Sequence, residues 1–201
     1  MISRRNGVAL AAIWLAGPAK AHAFLPEGGF YDRFIEGTLV VFAYPATLLP
    51  LMALGLLASL WEREGFPRAW PALILGQLVG VGLAAATGPW IVTVLMGAGA
   101  LVAILAALSP SLSAGEVRLA AGATGALAVA ASLEGHGLFE LSLAIHLGIL
   151  FAANLVVAVA AGLPRVVLEW RDDAWLRILW RVAASWIAAV LILFLAFTLS
   201  R

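Results

Sequence analysis

Apolar stretches of roughly 20 residues recur along this 201-residue chain, at about 37–61, 70–87, 90–109, 117–133, 138–162 and 176–199. An α-helix of that length is what the ~30 Å hydrocarbon core of a bilayer requires. The breaks between the stretches are short and carry turn residues: Glu62-Arg63-Glu64-Gly65-Phe66-Pro67-Arg68, Gly88-Pro89, Ser109-Pro110-Ser111, Glu134-Gly135-His136-Gly137, and the longer Leu163 to Trp175. Trp61, Trp70, Trp90, Trp170 and Trp175 stand at the edges, where an indole favours the headgroup level. The pattern predicts an all-α polytopic membrane protein, a six-helix transmembrane bundle over 24–201 with no separate soluble domain.

Composition agrees and narrows the function. Hydrophobic residues make up 64% of the chain and charged residues only 11%, against about 25% charged in soluble domains. Twelve Lys and Arg against eleven Asp and Glu leave a net charge of +1, without the basic field that nucleic acid binding needs. The lack of cysteine removes disulfides, thiolate metal sites and iron–sulfur clusters together. There is no Gly-rich nucleotide loop, no Gly-x-Ser-x-Gly, no His-Glu-x-x-His and no Asp in a predicted span. No enzymatic activity and no resident cofactor are expected.

The amino terminus has the anatomy of an export signal: Arg4 and Arg5, a short apolar run from Val8 to Ala16, then Gly17-Pro18 and small residues at Ala19, Ala21 and Ala23. Residues 1–23 are read as a signal peptide, with cleavage after Ala21 or Ala23 both satisfying the small-x-small rule. Cleavage after Ala21 would make His22 the first residue, and its amine and imidazole could then chelate a metal. Arg63, Arg68, Arg118, Arg165, Arg171, Arg177 and Arg181 fall on or beside the first, third and fifth connections, and the second and fourth hold no Lys or Arg. Those three connections are expected to face the cytoplasm, with the mature amino terminus and Arg201 on the periplasmic side of a bacterial inner membrane. Asp172-Asp173 are expected to cap the last helix, and Glu169, Asp173 and Arg177 to pair locally at i, i+4 spacing.

Polar residues inside the spans are few, and each must find a partner away from water. In the first span Tyr44, Pro45, Thr47 and Pro50 predict a bend or break, which either exposes carbonyls to an ion or forms a packed kink. Gly76, Gly80 and Gly82 around Gln77 read as close helix packing, with Gln77 lining a pore or bonding a neighbour. The segment Leu133 to Glu140 concentrates Glu134, His136 and Glu140, an oxygen and imidazole set suited to nickel, cobalt, zinc or manganese, or a solvated polar loop. His146 lies two turns into the fifth span with Ser142 on its face and Glu140 about 120° round. It is either a functional ionisable group or a neutral imidazole bonded within the bundle.

The arrangement resembles the HupE/UreJ family of small polytopic proteins associated with hydrogenase and urease operons and regarded as nickel or cobalt permeases. The resemblance runs over nearly the whole chain: the signal ending near Ala21-His22-Ala23, a Gly29-Phe30 stretch, the Gly37 to Ala58 helix and the Glu134 to Glu140 junction. The family's first-helix motif, Gly-Phe-x-His-Pro-x-x-Gly-x-Asp-His, is met by Tyr44-Pro45-Ala46-Thr47-Leu48-Leu49-Pro50-Leu51, where Tyr44 replaces the first His and Pro50-Leu51 the Asp-His pair. Its second motif, Phe-His-Gly-x-Ala-His-Gly-x-Glu, is similar to Leu133-Glu134-Gly135-His136-Gly137-Leu138-Phe139-Glu140, one residue shorter. The resemblance implies a permease or accessory protein for a nickel- or cobalt-class ion, with Glu134, His136, Glu140 and His146 as candidate ligands. The missing first-helix ligands imply the alternative, a structural subunit packed against a larger respiratory, hydrogenase or photosynthetic membrane complex. A homo-oligomer is compatible with either.

Overall fold

The computed structural model describes residues 24, 28–61, 65–171 and 173–200, and among these all regular structure is helical. The signal peptide, His22, Arg63 and Asp172 lie outside the described residues. Seven α-helices follow in order: α1 (Phe30–Ala43), α2 (Pro45–Leu60), α3 (Gly65–Leu83), α4 (Trp90–Leu108), α5 (Ala114–Ser132), α6 (Leu143–Trp170) and α7 (Ala174–Leu199), with a short 3-10 turn at Ala84–Ala86 after α3.

Four of these, α3 with its 3-10 turn, α4, α6 and α7, are long and apolar enough to cross a membrane, and the α1–α2 pair counts as a fifth if taken as one bent span. The expected fourth span, now α5, is not among them. It has the length, but Glu116, Arg118 and a run of Gly, Ala and Thr dilute its apolarity. Much of α5 is sheltered by protein, with Val117, Ala121, Thr124, Gly125 and Ala128 to Ser132 buried. A helix facing other helices does not need the apolarity of one facing lipid.

The bundle is organised around α2. Its 16 residues carry no charge, and Ala53 to Ser59 are buried without interruption. A helix that is apolar all round belongs in the interior, and α2 touches every other helix. The outer helices then pair at long range in sequence: α3 lies along α5, α1 along α6, and α4 along α7.

Small residues set these pairings. A Cβ on Gly76 would meet the Gly122 carbonyl and one on Gly80 the Ala126 carbonyl, so α3 and α5 approach backbone to backbone. The α1–α6 crossing is reciprocal, with Gly37 against the Ile145 carbonyl and Gly148 against the Phe34 carbonyl. Without a hydrophobic drive between helices in lipid, this close contact supplies dispersion that larger residues would prevent.

Four sequence expectations need correction. The fifth span starts at Leu143 rather than 138, because Ser142 takes the N-cap position and the preceding residues form turns. It also runs through Pro164 to Trp170, so the predicted 163–175 connection shrinks to 171–173. The extension is supported by a salt bridge of 2.9 Å between Arg165 and Glu169, one turn apart. Glu169 thus pairs with Arg165 on its own helix, and Asp173, though N-cap of α7, makes no side-chain capping bond. Trp61, finally, is buried and donates its indole N–H to the Leu112 carbonyl at 3.1 Å instead of sitting at an outer edge.

The glycine contacts yield a paired test. Gly76→Val should lower the melting temperature of detergent-purified protein by about 5 °C or more, the consequence of forcing a side chain into a closed contact. Gly97→Ala, at a site with nothing within 4 Å of the added Cβ, should leave it unchanged or slightly higher through helix propensity. Equal losses in the two variants would refute the close-packing account.

Candidate functional site

The segment between α5 and α6 holds three of the candidate metal ligands. Gly135 adopts φ 74°, the left-handed region, and lets the chain reverse so that the His136 N–H reaches the Leu133 carbonyl at 2.9 Å. The His136 ring turns back on the same loop, its Nδ1 lying 3.0 Å from the Glu134 carbonyl. A carbonyl only accepts, so Nδ1 is the donor in this contact. Phe24 packs edge-on against that ring with centroids 5.4 Å apart. Glu140 is exposed and sits in the turn before α6, its N–H bonded to the Gly137 carbonyl at 3.1 Å.

Glu134 is the unusual member. Its Oε2 is buried without a hydrogen-bond partner among the described residues, and desolvation raises its pKa above the usual carboxylate value.

His146 is buried on α6 and does meet Ser142, though through the serine's backbone. Its Nδ1 lies 3.0 Å from the Ser142 carbonyl, the first acceptor of the helix, while the Ser142 hydroxyl is buried without a partner. Because α6 begins at Leu143, the helical angle predicted between His146 and Glu140 does not apply. Among the described residues, no group of three or more His, Asp or Glu side chains converges to hold a metal ion.

The structure instead assembles a polar bridge that sequence reasoning left apart. Asn154 of α6 donates its amide to Gln77 Oε1 of α3 at 2.8 Å and to the Leu150 carbonyl at 2.8 Å. Its Oδ1 accepts the Trp70 indole N–H at 2.7 Å. Gln77 is buried within the bundle. Two lone carboxamides in otherwise apolar helices were a signal for this pairing, since each needs a partner away from water.

The first span breaks as expected, with α1 and α2 bent by 76° at Tyr44. Pro45 lacks the N–H that would have closed on Val41, and the Thr47 hydroxyl takes its place, lying 3.2 Å from the Val41 carbonyl and 2.9 Å from the Tyr44 carbonyl. The Pro50 ring meanwhile sits against Gly99 of α4. The break is thus stabilised by the chain's own side chains.

At the opposite end, the carboxyl ends of α2, α4 and α6 and the start of α7 enclose a cleft of about 610 Å³ lined by Arg165, Arg177, Arg181 and Glu169. Arg181 donates from Nε to the Ala107 carbonyl at 2.7 Å and from a terminal guanidinium nitrogen to the Leu108 carbonyl at 3.5 Å, meeting the negative end of α4. Three of the arginines singled out as topology signals therefore line one cleft.

Two tests follow from these geometries. Glu134 ionises less readily in the folded than in the unfolded chain, so the folded state loses relative stability as pH rises above about 4.5, its ordinary value, until its own raised pKa is passed. Glu134→Gln should raise the melting temperature at pH 7 and leave it unchanged at pH 4; a loss at pH 7 would contradict burial as the cause. Asn154→Leu should cost about 0.6–1.7 kcal/mol, the range of interhelical hydrogen bonds in membranes, and adding Gln77→Leu should cost less than the sum of the singles. Strict additivity in detergent unfolding would show that the two amides do not depend on each other.

No family model matches the chain, and no curated protein or solved structure matches it.

Proposed function

We propose that the protein is an accessory subunit that packs against a larger membrane complex, of the respiratory, hydrogenase or photosynthetic kind, on a HupE/UreJ-like bundle. The observation that carries this reading is the Asn154–Gln77–Trp70 bridge. The Asn154 amide and Gln77 Oε1 are used in joining α3 to α6, although Gln77 Nε2 is buried without a partner among the described residues. Pro50 and Leu51 at the family's ligand positions point the same way, since neither side chain has a donor atom to replace Asp and His. The proposal assigns the chain to a bacterial inner membrane, with residues 1–23 removed and both mature termini periplasmic. The gathering of Arg165, Arg177 and Arg181 at one end supports that orientation.

A second reading, permeation of a nickel- or cobalt-class ion, is favoured by one specific feature. His136 and His146 both direct Nδ1 at backbone carbonyls, which fixes the tautomer and leaves Nε2 as the ligating nitrogen, an arrangement common around bound metals. Glu134 and Glu140 would be the accompanying oxygen donors.

Extraction of tagged protein from its own membranes in mild detergent, followed by native-mass analysis, separates the two. The subunit proposal expects stoichiometric co-migration with a large assembly and undiminished nickel and cobalt uptake in cells carrying His136→Ala with Glu140→Ala. Migration alone, together with lost uptake in that variant, would replace it with the permease.

A further inference from the structure

One wall of the arginine cleft is a part of α6 that the bundle grips on one side only. Up to Ala160 the helix is clamped, since a Cβ on Gly55 of α2 would meet the Ala160 side chain and the Val157 carbonyl. Ala161 and Pro164 are still buried. Beyond them, from Arg165 to Trp170, the side turned away from the cleft is bare, with Val166 62% and Trp170 91% exposed. The Arg165–Glu169 salt bridge lies within α6, so it stiffens this segment without tying it to another helix.

Two residues at the boundary weaken the helix. Pro164 has no N–H to close on the Ala160 carbonyl, and a Cβ added at Gly162 would meet nothing within 4 Å. Space lies on both faces there. Arg165 and Glu169 line the cleft of about 610 Å³, and with Ser59 they also line a recess of about 400 Å³ toward α3, which Gly162 borders. On the opposite face, about 150° round the helix at ~100° per residue, Leu163 and Pro164 back onto an almost wholly apolar cleft of about 550 Å³ between α2, α6 and α7. That gap exists because α6 and α7 barely meet each other and are held apart on α2.

Helix bends concentrate at Pro and Gly, and here both stand where the clamp ends and free volume begins. We infer that residues 162–164 are a hinge, and that Arg165–Trp170 is an arm that closes over the arginine cleft and the recess beside it. An arm of six residues is about 9 Å long at ~1.5 Å per residue, so a bend of about 30° carries its tip by about 5 Å. Closure sacrifices no packing on the exposed outer side of the arm. Residues 171–173 alone join the arm to α7, so its movement also pulls on the start of the least buried of the four spanning helices.

The chain has no cysteine, so paired cysteines can be spin-labelled without background in the full-length protein reconstituted in lipid nanodiscs. Leu119→Cys, exposed on α5, is the common reference; Val166→Cys reports the arm and Val159→Cys the clamped part of α6. The Leu119–Val166 pair should give two distance populations about 3–5 Å apart, and the Leu119–Val159 pair one narrow population. Gly162→Ala with Pro164→Ala restores the missing N–H and favours unbroken helix. It should collapse the Val166 distances to one population and leave the Val159 distance unchanged, which also shows that the variant folds as wild type does. Gly162→Ala alone should act in the same direction. Leu60→Cys, which lines the cleft from α2, should react with a water-soluble maleimide about twofold faster or more in the stiffened protein, because the arm no longer spends time over it.

A single narrow Leu119–Val166 distance in wild type overturns the inference, since the arm is then fixed. Two populations that persist in the double alanine variant place the bend elsewhere and overturn it too. An equal spread at Val159 would mean that α6 moves as a whole, and unchanged Leu60→Cys reactivity would mean that the movement does not cover the cleft; either result refutes a hinged lid.

Discussion

A carbonyl stripped of its helical donor inside a bilayer has no water to turn to, so the chain must supply the replacement itself. Pro45 creates that demand at Val41, and the Thr47 hydroxyl meets it two residues further on. The consequence reaches well beyond the break. Only because the chain can turn by 76° at Tyr44 can α1 lie across α6 while α2 takes the bundle axis. Once α2 is central, its neighbours must cover it on all sides, and every other helix contacts it. The positions of the polar bridge and of both clefts follow from how that cover is divided.

Two kinds of contact hold the cover in place, and they differ in what they specify. At Gly76, Gly80, Gly37 and Gly148 the backbones approach closely enough to exclude a Cβ, which fixes helix separation but tolerates some sliding. The Asn154–Gln77 hydrogen bond adds what small residues cannot, a fixed register between α3 and α6. Where neither device operates, as between α6 and α7, the helices part and leave the apolar cleft. The same division separates the regions able to accept another molecule from those closed to it.

Much of the architecture was legible in residue patterning. The apolar stretches located most helices to within a few residues, and Pro45 with Pro50 announced the break in the first span. Other features were hidden for physical reasons. The stretch from Leu163 to Trp175 read as a connection, yet α6 continues through Pro164 to Trp170, with the Arg165–Glu169 pair just beyond the proline. The α5 helix read as a lipid-crossing span because length and Ala content alone do not reveal that α3 shields it. At the candidate site, the chemistry of Glu134, His136 and Glu140 was visible, but a loop's path depends on turns such as the one at Gly135. The bond between Asn154 and Gln77, 77 residues apart, required knowing which helices are neighbours.

The pairing of distant helices also has a meaning in time. A chain made from its amino terminus delivers α1 more than a hundred residues before α6, the helix whose Ile145 and Gly148 close against it. The α3 helix similarly waits for α5, and α4 for α7. Adjacent helices therefore cannot simply dock as successive hairpins, and the central α2 stays open to lipid until the last two helices have entered the membrane. Such high sequence separation slows folding and prolongs the exposure of unfinished surfaces. For this bundle, the glycine faces that give the finished protein its close packing are also the faces that remain unmatched for most of its synthesis.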